Sequence, residues 1–173
     1  MTILDLARKV DDYIGGSNEM IKGVETEIAG LYLHRQARPS PFEATVYHPV
    51  ICLNLQGRKQ VAIGDRSVEF GIGQSLIVSH DLPVAARITE ASPEHPYLAI
   101  IVALDIDILR DLSGQIGDTA PRDHRTGALS TSITDAALIH AMSRYFALVD
   151  DPLEARVMAV SYTHLRAHET VLD

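Results

Sequence analysis

The most constraining feature of the chain is the stretch from Val50 to Ser79, in which short apolar runs alternate with glycine-containing breaks. Val50–Leu55 is almost continuously apolar, which is typical of a strand that is buried on both faces. The breaks fall at Gln56–Lys59, Gly64–Arg66 and Gly71–Gln74. Short apolar runs separated by glycine and aspartate indicate hairpins, so the stretch predicts a mainly β fold built as a small barrel or sandwich.

Helices are predicted on both sides of this β region. An apolar stripe at helical spacing predicts the first helix, over Thr2–Ile14. A second stripe predicts a helix over Ser132–Val149, and its main members are Leu138, Met142, Tyr145 and Val149. Asp151 as cap and Pro152 at the first helical position then open another helix. The sequence therefore predicts a barrel preceded by one helix and followed by a helical hairpin.

These elements divide the chain into consecutive parts. Its 173 residues suit one domain with a proper core. We expect the first helix and a lead-in over residues 1–25, the barrel and a short helix over 26–112, a polar linker over 113–131, and the helical pair over 132–160.

The last residues, 161–173, are interpreted as foreign to the fold. Val160–Thr170 (VSYTHLRAHET) resembles one reading frame of a common transposon-end sequencing adapter. We therefore expect the native sequence to be lost after about Ala159 and the second helix of the pair to be truncated. His164 and His168 have the spacing of a helical metal pair, but this interpretation removes them from consideration.

Charge and cysteine content restrict the partners. The chain has 15 Lys and Arg residues against 23 Asp and Glu residues, and the net charge of −8 argues against an unspecific grip on nucleic acid phosphates. Cys52 is the single cysteine, which excludes an internal disulfide and fits a reducing compartment. The chain opens with no signal-peptide pattern and has no apolar run of membrane-spanning length, so we expect a cytoplasmic protein with no membrane partner.

A small glycine-punctuated barrel suggests the cupin architecture, the double-stranded β-helix. Aligning the first metal-binding motif of cupins on Gly57 places Ile63 and Asp65 at its two histidine positions and Glu69 at its acidic position. The second motif falls on Gly71–Gly73 and places Leu76 at the remaining histidine position. A transition metal needs several nitrogen, oxygen or sulfur donors, so we predict no metal and no other cofactor. Nucleophile motifs and paired carboxylates at a recognisable spacing are missing as well, and no catalytic residue is predicted.

Several short motifs carry a resemblance to a known family. They are Tyr47-His48-Pro49, Cys52–Lys59 (CLNLQGRK), Asp81–Val84 (DLPV), Ala91–Glu94 (ASPE) and Pro96–Leu98 (PYL). In this order they resemble the N-terminal domain of AraC-type transcriptional regulators, over roughly Thr26–Val160. The resemblance implies a cupin-like sensor barrel for a small-molecule effector and a homodimer formed through the helices after it. It also implies a C-terminal pair of helix-turn-helix units that binds DNA, which this chain lacks.

Candidate residues follow from barrel geometry and from the resemblance. Inward positions on the strands are candidates for contact with the effector, namely Tyr32, Cys52, Asn54 and Val61. Asn54 has two open interpretations, a bond to backbone at a bulge or a contact with ligand. Cys52 is either an inert buried thiol or an electrophile-reactive one. Arg58 and Lys59 form either a solvated hairpin tip or a clamp for an anion. The stripe of Leu138, Met142, Tyr145 and Val149 is the predicted dimer surface.

Two functions from different classes remain open at this point. The first is the effector-sensing and dimerisation domain of a DNA-binding regulator. The second is a free-standing, metal-independent cupin enzyme, such as an isomerase or epimerase acting on a sugar-like substrate. An enzyme would need a general base with a matched partner in the barrel, and the sequence shows none. We therefore predict the regulator.

Overall fold

The structure, a computed structural model, describes residues 2–15, 21–116, 129–151, 153, 155 and 156. This part of the chain holds ten strands and three α-helices. In chain order they are α1 (Ile3–Ile14), β1 (Ile21–Glu25), β2 (Leu31–Gln36), β3 (Glu43–Tyr47), β4 (Val50–Gln56), β5 (Arg58–Ile63), β6 (Arg66–Phe70), β7 (Gln74–Val78), β8 (Leu82–Glu90), β9 (Tyr97–Ala103), α2 (Ile106–Ile116), β10 (Leu129–Ile133) and α3 (Ala136–Ala147).

The strands form two antiparallel sheets that face each other. The first sheet has the order β1-β2-β9-β4-β7-β10 and the second the order β3-β8-β5-β6. Leaving aside the edge strands β1 and β10, the other eight strands have the interleaved order of a jelly roll, the topology of cupins. The predicted fold class, mainly β with helices and a cupin-like barrel, is confirmed.

Alternation along the strands of the first sheet separates two hydrophobic cores. The inter-sheet core lies inside the barrel and contains the buried residues Cys52, Val61, Phe70, Leu76, Val78, Val84, Ile88, Tyr97 and Ala99. The outer core lies on the opposite face of the first sheet, where helices α1 and α3 cover it. Its buried residues are Leu6, Ala7, Val10, Leu31, Leu33, Leu53, Leu55, Leu98, Ile100, Met142 and Phe146.

Helix α1 is held to the first sheet by apolar packing and by one ion pair. Leu6 and Val10 are fully buried in the outer core. Arg35 on β2 points to the same side, is buried, and donates from Nε to Asp11 Oδ1 of α1 over 2.7 Å. Because the guanidinium of a buried arginine requires a partner, this pair fixes the position of the helix along β2.

The segment around residue 130 differs from the expected linker and helix. Leu129–Ile133 forms β10 and pairs antiparallel with β7, from Leu129 opposite Val78 to Ile133 opposite Gln74. Helix α3 therefore begins at Ala136 instead of about Ser132, with Asp135 as its cap. The sequence of β10 is short and hydroxyl-rich, and pairing with β7 decides its conformation more than intrinsic propensity does. Residues 117–128 of the expected linker lie outside the described residues.

The start of the second C-terminal helix agrees with the sequence. A 3-10 turn at Leu148–Asp150 follows α3, and Asp151 Oδ1 then accepts from the Leu153 backbone N–H over 3.1 Å. Leu153, Ala155 and Arg156 are helical. The remainder of this helix and the tail interpreted as adapter-derived, residues 161–173, lie outside the described residues. Within the described part, no helix has the length and apolar character needed to cross a membrane.

Candidate ligand-binding site

A cavity of about 400 Å³ opens between the two sheets. Its volume lies within the range of pockets that bind small molecules. The first sheet contributes residues from β1, β2 and β9, and the second contributes residues from β3, β5 and β8. The lining residues are Gly23, His34, Gln36, Ser40, Glu43, Ala44, Thr45, Tyr47, Lys59, Ala86, Arg87, Ile88 and Ile101.

Lys59 is the buried charge of this cavity. It shares the inward face of β5 with Val61, and its side chain is only 8% exposed. The ammonium Nζ lies 5.3 Å from the centre of the Tyr47 ring, and the described residues place no carboxylate in ion-pair contact with it. Its neighbour Arg58 lies outside the barrel and pairs with Glu90 over 3.2 Å. The two cations of the predicted hairpin tip therefore differ, because Arg58 is solvated and Lys59 is buried.

The Tyr47 ring beside this ammonium carries a hydroxyl, and Tyr97 in the inter-sheet core carries another. The hydroxyl of Tyr47 is buried and forms no hydrogen bond within the described part of the chain, whereas that of Tyr97 lies beside the Cys52 thiol. Burial raises the pKa of Tyr97 well above its ordinary value, and the neighbouring Cys52 and Tyr47 raise it further. Buried hydroxyls are almost always hydrogen-bonded in folded proteins. Lys59 and Tyr47, which we call the donor cluster, both line the cavity and bring unused hydrogen-bond donors to it.

The four predicted effector residues all lie inside the barrel but do not border the cavity. Cys52 and Val61 belong to the inter-sheet core, and Tyr32 lies on the same face of β2 as His34 by alternation. Their contact with an effector stays a prediction. The donor cluster was missed because Gln56–Lys59 was interpreted as a turn. The signal was nevertheless present, because Lys59 stands two residues before the apolar Val61 and so shares its face.

Asn54 makes the backbone hydrogen bonds that one of its two interpretations predicts. Its Nδ2 donates to the carbonyl oxygens of Gly57 and Phe70 over 3.1 and 3.3 Å, and its Oδ1 accepts from the Gln56 N–H over 3.1 Å. These bonds lie at the irregularity between Asn54 and Gln56, where the register of β4 and β9 shifts. The amide therefore holds the bulge and the turn that follows it.

The positions aligned with cupin metal ligands have separate places in the fold. Ile63 and Leu76 pack in the inter-sheet core, whereas Asp65 lies in the exposed turn between β5 and β6. Among the residues that the structure describes, no group of three or more His, Cys, Asp or Glu side chains converges as a metal site would require.

Comparison with known proteins decides the family. The family described as the AraC-type transcriptional regulator N-terminus matches residues 27–164. The chain belongs to this family. No curated protein matches the chain at a significant level.

Solved structures similar to this AraC-type domain include regulators and a cupin. ToxT from Vibrio cholerae O395, bound to (E)-4-(8-methylnaphthalen-1-yl)but-3-enoic acid, shares 13% identity at a TM-score of 0.49, over 80% of this chain and 55% of that chain. The AraC-like transcriptional activator CuxR shares 19% identity at a TM-score of 0.36, over 54% of this chain and 35% of that chain. A cupin-2 domain protein from Shewanella frigidimarina shares 12% identity at a TM-score of 0.39, over 54% of this chain and 91% of that chain. The chain thus spans about half of ToxT and a third of CuxR.

The predicted dimer stripe of this AraC-type domain faces inward. Leu138, Met142, Tyr145 and Val149 all pack against the outer core, and Met142 is only 4% exposed. The Tyr145 hydroxyl also donates to the carbonyl of Ala29 over 3.1 Å. In this arrangement the stripe docks α3 on the barrel of its own chain, and its part in dimerisation stays a prediction.

The single thiol of the AraC-type domain is in an unreactive setting. Cys52 is buried in the inter-sheet core. Burial raises the pKa of its thiol, and the positive charge of Lys59 together with Tyr97 opposes this effect only in part. Because the thiolate is the reactive form, burial favours the inert one of the two interpretations of Cys52.

Proposed function

We propose that this chain is the effector-sensing domain of an AraC-type transcriptional regulator and that the effector binds in the cavity between the sheets. The family membership supports the regulatory role. The single observation that carries the location of the site is the buried donor cluster at the cavity, because unused donors in a low-dielectric space favour a polar ligand.

A route from the cavity to the helices supports the sensing mechanism. The inward side chains His34 and Gln36 of β2 line the cavity, whereas Leu33 and Arg35 of the same strand contact α1. A ligand that prefers one position of β2 changes the populations of the α1 arrangements on the other side. Coupling of this kind requires different affinities for the two arrangements.

The regulator acts, in this proposal, as a cytoplasmic homodimer. The C-terminal helices mediate dimerisation. DNA is contacted by two helix-turn-helix units that follow residue 160 in the native protein, and their spacing on two half-sites changes with the dimer. The proposal assigns no enzymatic activity to the domain, since membership in a regulator family favours sensing over a cupin isomerase.

The uninterrupted gene tests this function directly. We expect the sequence beyond the codon for Ala159 to encode two consecutive helix-turn-helix units with an excess of Lys and Arg, because phosphate contacts require positive charge. Sequencing of the genomic locus checks this. A stop codon directly after the second C-terminal helix would contradict the regulator and favour the free-standing enzyme.

A further inference from the structure

The charge of Lys59 is not compensated within the described protein. Its neighbours on β6 and β8 are the apolar Phe70 and Ile88. Transfer of an ammonium from water into such surroundings is costly unless a counter-charge and hydrogen bonds accompany it. The ring of Tyr47 at 5.3 Å provides a cation–π contact, which is weaker than an ion pair.

The acidic residues around the site do not provide the counter-charge. Glu43 lines the exposed mouth of the cavity and makes no ion pair with Lys59. Glu90 pairs with Arg58 on the outside of the barrel. Asp81, beyond the end of β7, pairs with His48 over 2.8 Å at the surface. Among the described residues no carboxylate pairs with Lys59, so the described structure favours a group in the cavity as the source of its counter-charge.

We propose that the ligand of this cavity is a small organic anion, with one anionic head group and an apolar body. Its head group accepts from Lys59 Nζ and from the hydroxyl of Tyr47, and its body contacts Ala86, Ile88 and Ile101, which form the apolar part of the lining. This inference rests on the proposed function, because it names the class of effector for the same site.

The net charge of −8 does not oppose this assignment. At physiological ionic strength, exposed charges are screened over about 8 Å, so distant carboxylates act weakly on a ligand in the barrel. The ammonium of Lys59 is screened less than an exposed charge, because the residue is only 8% exposed. The local charge therefore decides the preference of the site.

Two fluorescent probes of similar shape and different charge test the proposal. The anion 8-anilinonaphthalene-1-sulfonate carries a sulfonate that the neutral N-phenyl-1-naphthylamine lacks. Each is titrated with the complete 173-residue chain, and its Kd is obtained from the rise in fluorescence. We expect the anionic probe to bind at least tenfold more tightly than the neutral one, because a charge-assisted hydrogen bond contributes a binding free energy of that size.

Lys59→Met keeps the apolar stem and removes the charge. We expect this variant to weaken the anionic probe about tenfold and to leave the neutral probe unchanged, so that the preference disappears. Arg58→Met is the matched control, because it removes a cation outside the barrel, and it should leave both Kd values unchanged. Thermal unfolding shows whether each variant is folded, and we expect Lys59→Met to be at least as stable as the parent chain.

A second pair of variants locates the probes. Ala86→Trp fills the cavity and should abolish binding of both probes, whereas Ala62→Trp, at a position of β5 that does not line the cavity, should leave binding intact. Equal affinity for both probes, unaffected by Lys59→Met, would overturn the anion assignment while leaving the cavity as a binding site. Absence of binding by either probe, or binding that Ala86→Trp does not alter, would count against the cavity itself and thus against the proposed function.

Discussion

Gly57 shows how much of the barrel depends on a single residue. It lies between β4 and β5 with a φ of +76°, in the left-handed region that side chains rarely adopt. A Cβ atom at this position would collide with the carbonyl oxygen of Glu90 and would lie 3.1 Å from Tyr97 Cα. Both obstacles are backbone atoms, so they cannot move aside without shifting strands β8 and β9.

Gly57→Ala should therefore destabilise the domain far more than alanine normally does when it replaces a glycine with a positive φ. Gly64→Ala is the matched control, because Gly64 has a φ of +57° and its Cβ would meet nothing within 4 Å. We expect the control to cost about 1 kcal/mol for the backbone conformation alone. Gly57→Ala should cost at least about 3 kcal/mol, as overpacking adds to that term. Urea unfolding of both variants measures the difference, and equal losses would contradict the steric argument.

At the scale of elements, helix α3 packs firmly on the outer face of the barrel. Its apolar stripe joins the outer core, and its Phe146 ring meets the Tyr13 ring of α1 edge-on at 5.9 Å. Together α1 and α3 cover the outer face of β2, β4 and β9, which would otherwise expose a sheet of leucine and isoleucine side chains. The two helices stabilise the sheet from the side opposite the cavity.

Met142→Asp should destabilise the domain instead of acting only on self-association. A carboxylate at this buried position lacks a partner, and we expect a loss of about 3–5 kcal/mol in the free energy of unfolding. His140→Asp, on the exposed side of the same helix, should change it by about 0.5 kcal/mol or less. Urea unfolding checks both values. Similar stability of the two variants would mean that α3 is not docked as described.

Sequence reasoning predicted elements better than it predicted which surfaces meet. The strands between Val50 and Ser79 are found where glycine and apolar runs placed them, because turns and strand interiors have strong local signals. An amphipathic stripe such as that of Met142, by contrast, shows only that one face is covered and does not identify the covering surface. Strand β10 was missed since its serine and threonine side chains carry little signal without β7 beside them.

At the scale of the whole molecule, stability should decline at alkaline pH. Cys52 and Tyr97 both have raised pKa values because they are buried between the sheets. Above the ordinary cysteine pKa of 9.0, the unfolded chain loses the thiol proton and the folded protein keeps it. The folded protein then binds more protons, so the free energy of unfolding decreases as pH rises.

Cys52→Val should remove the share of this decline that belongs to the thiol. A group that stays protonated when folded and has an unfolded pKa near 9 lowers the free energy of unfolding by about 1.4 kcal/mol at pH 10. Urea unfolding at pH 7, 8, 9 and 10 measures the decline for both proteins. The variant should follow the parent chain up to pH 8 and decline less above pH 9. Identical curves for the two proteins would mean that Cys52 is not buried as described.

Strand β2 has a consequence for how such a domain can diversify. Its even-numbered side chains, His34 and Gln36, face the cavity, and its odd-numbered ones, Leu33 and Arg35, face the helices. No side chain of the strand serves both surfaces. Substitutions that change ligand choice can therefore accumulate at one set of positions while helix docking is maintained at the other. A lineage could acquire a new chemical signal without rebuilding the apparatus that transmits it.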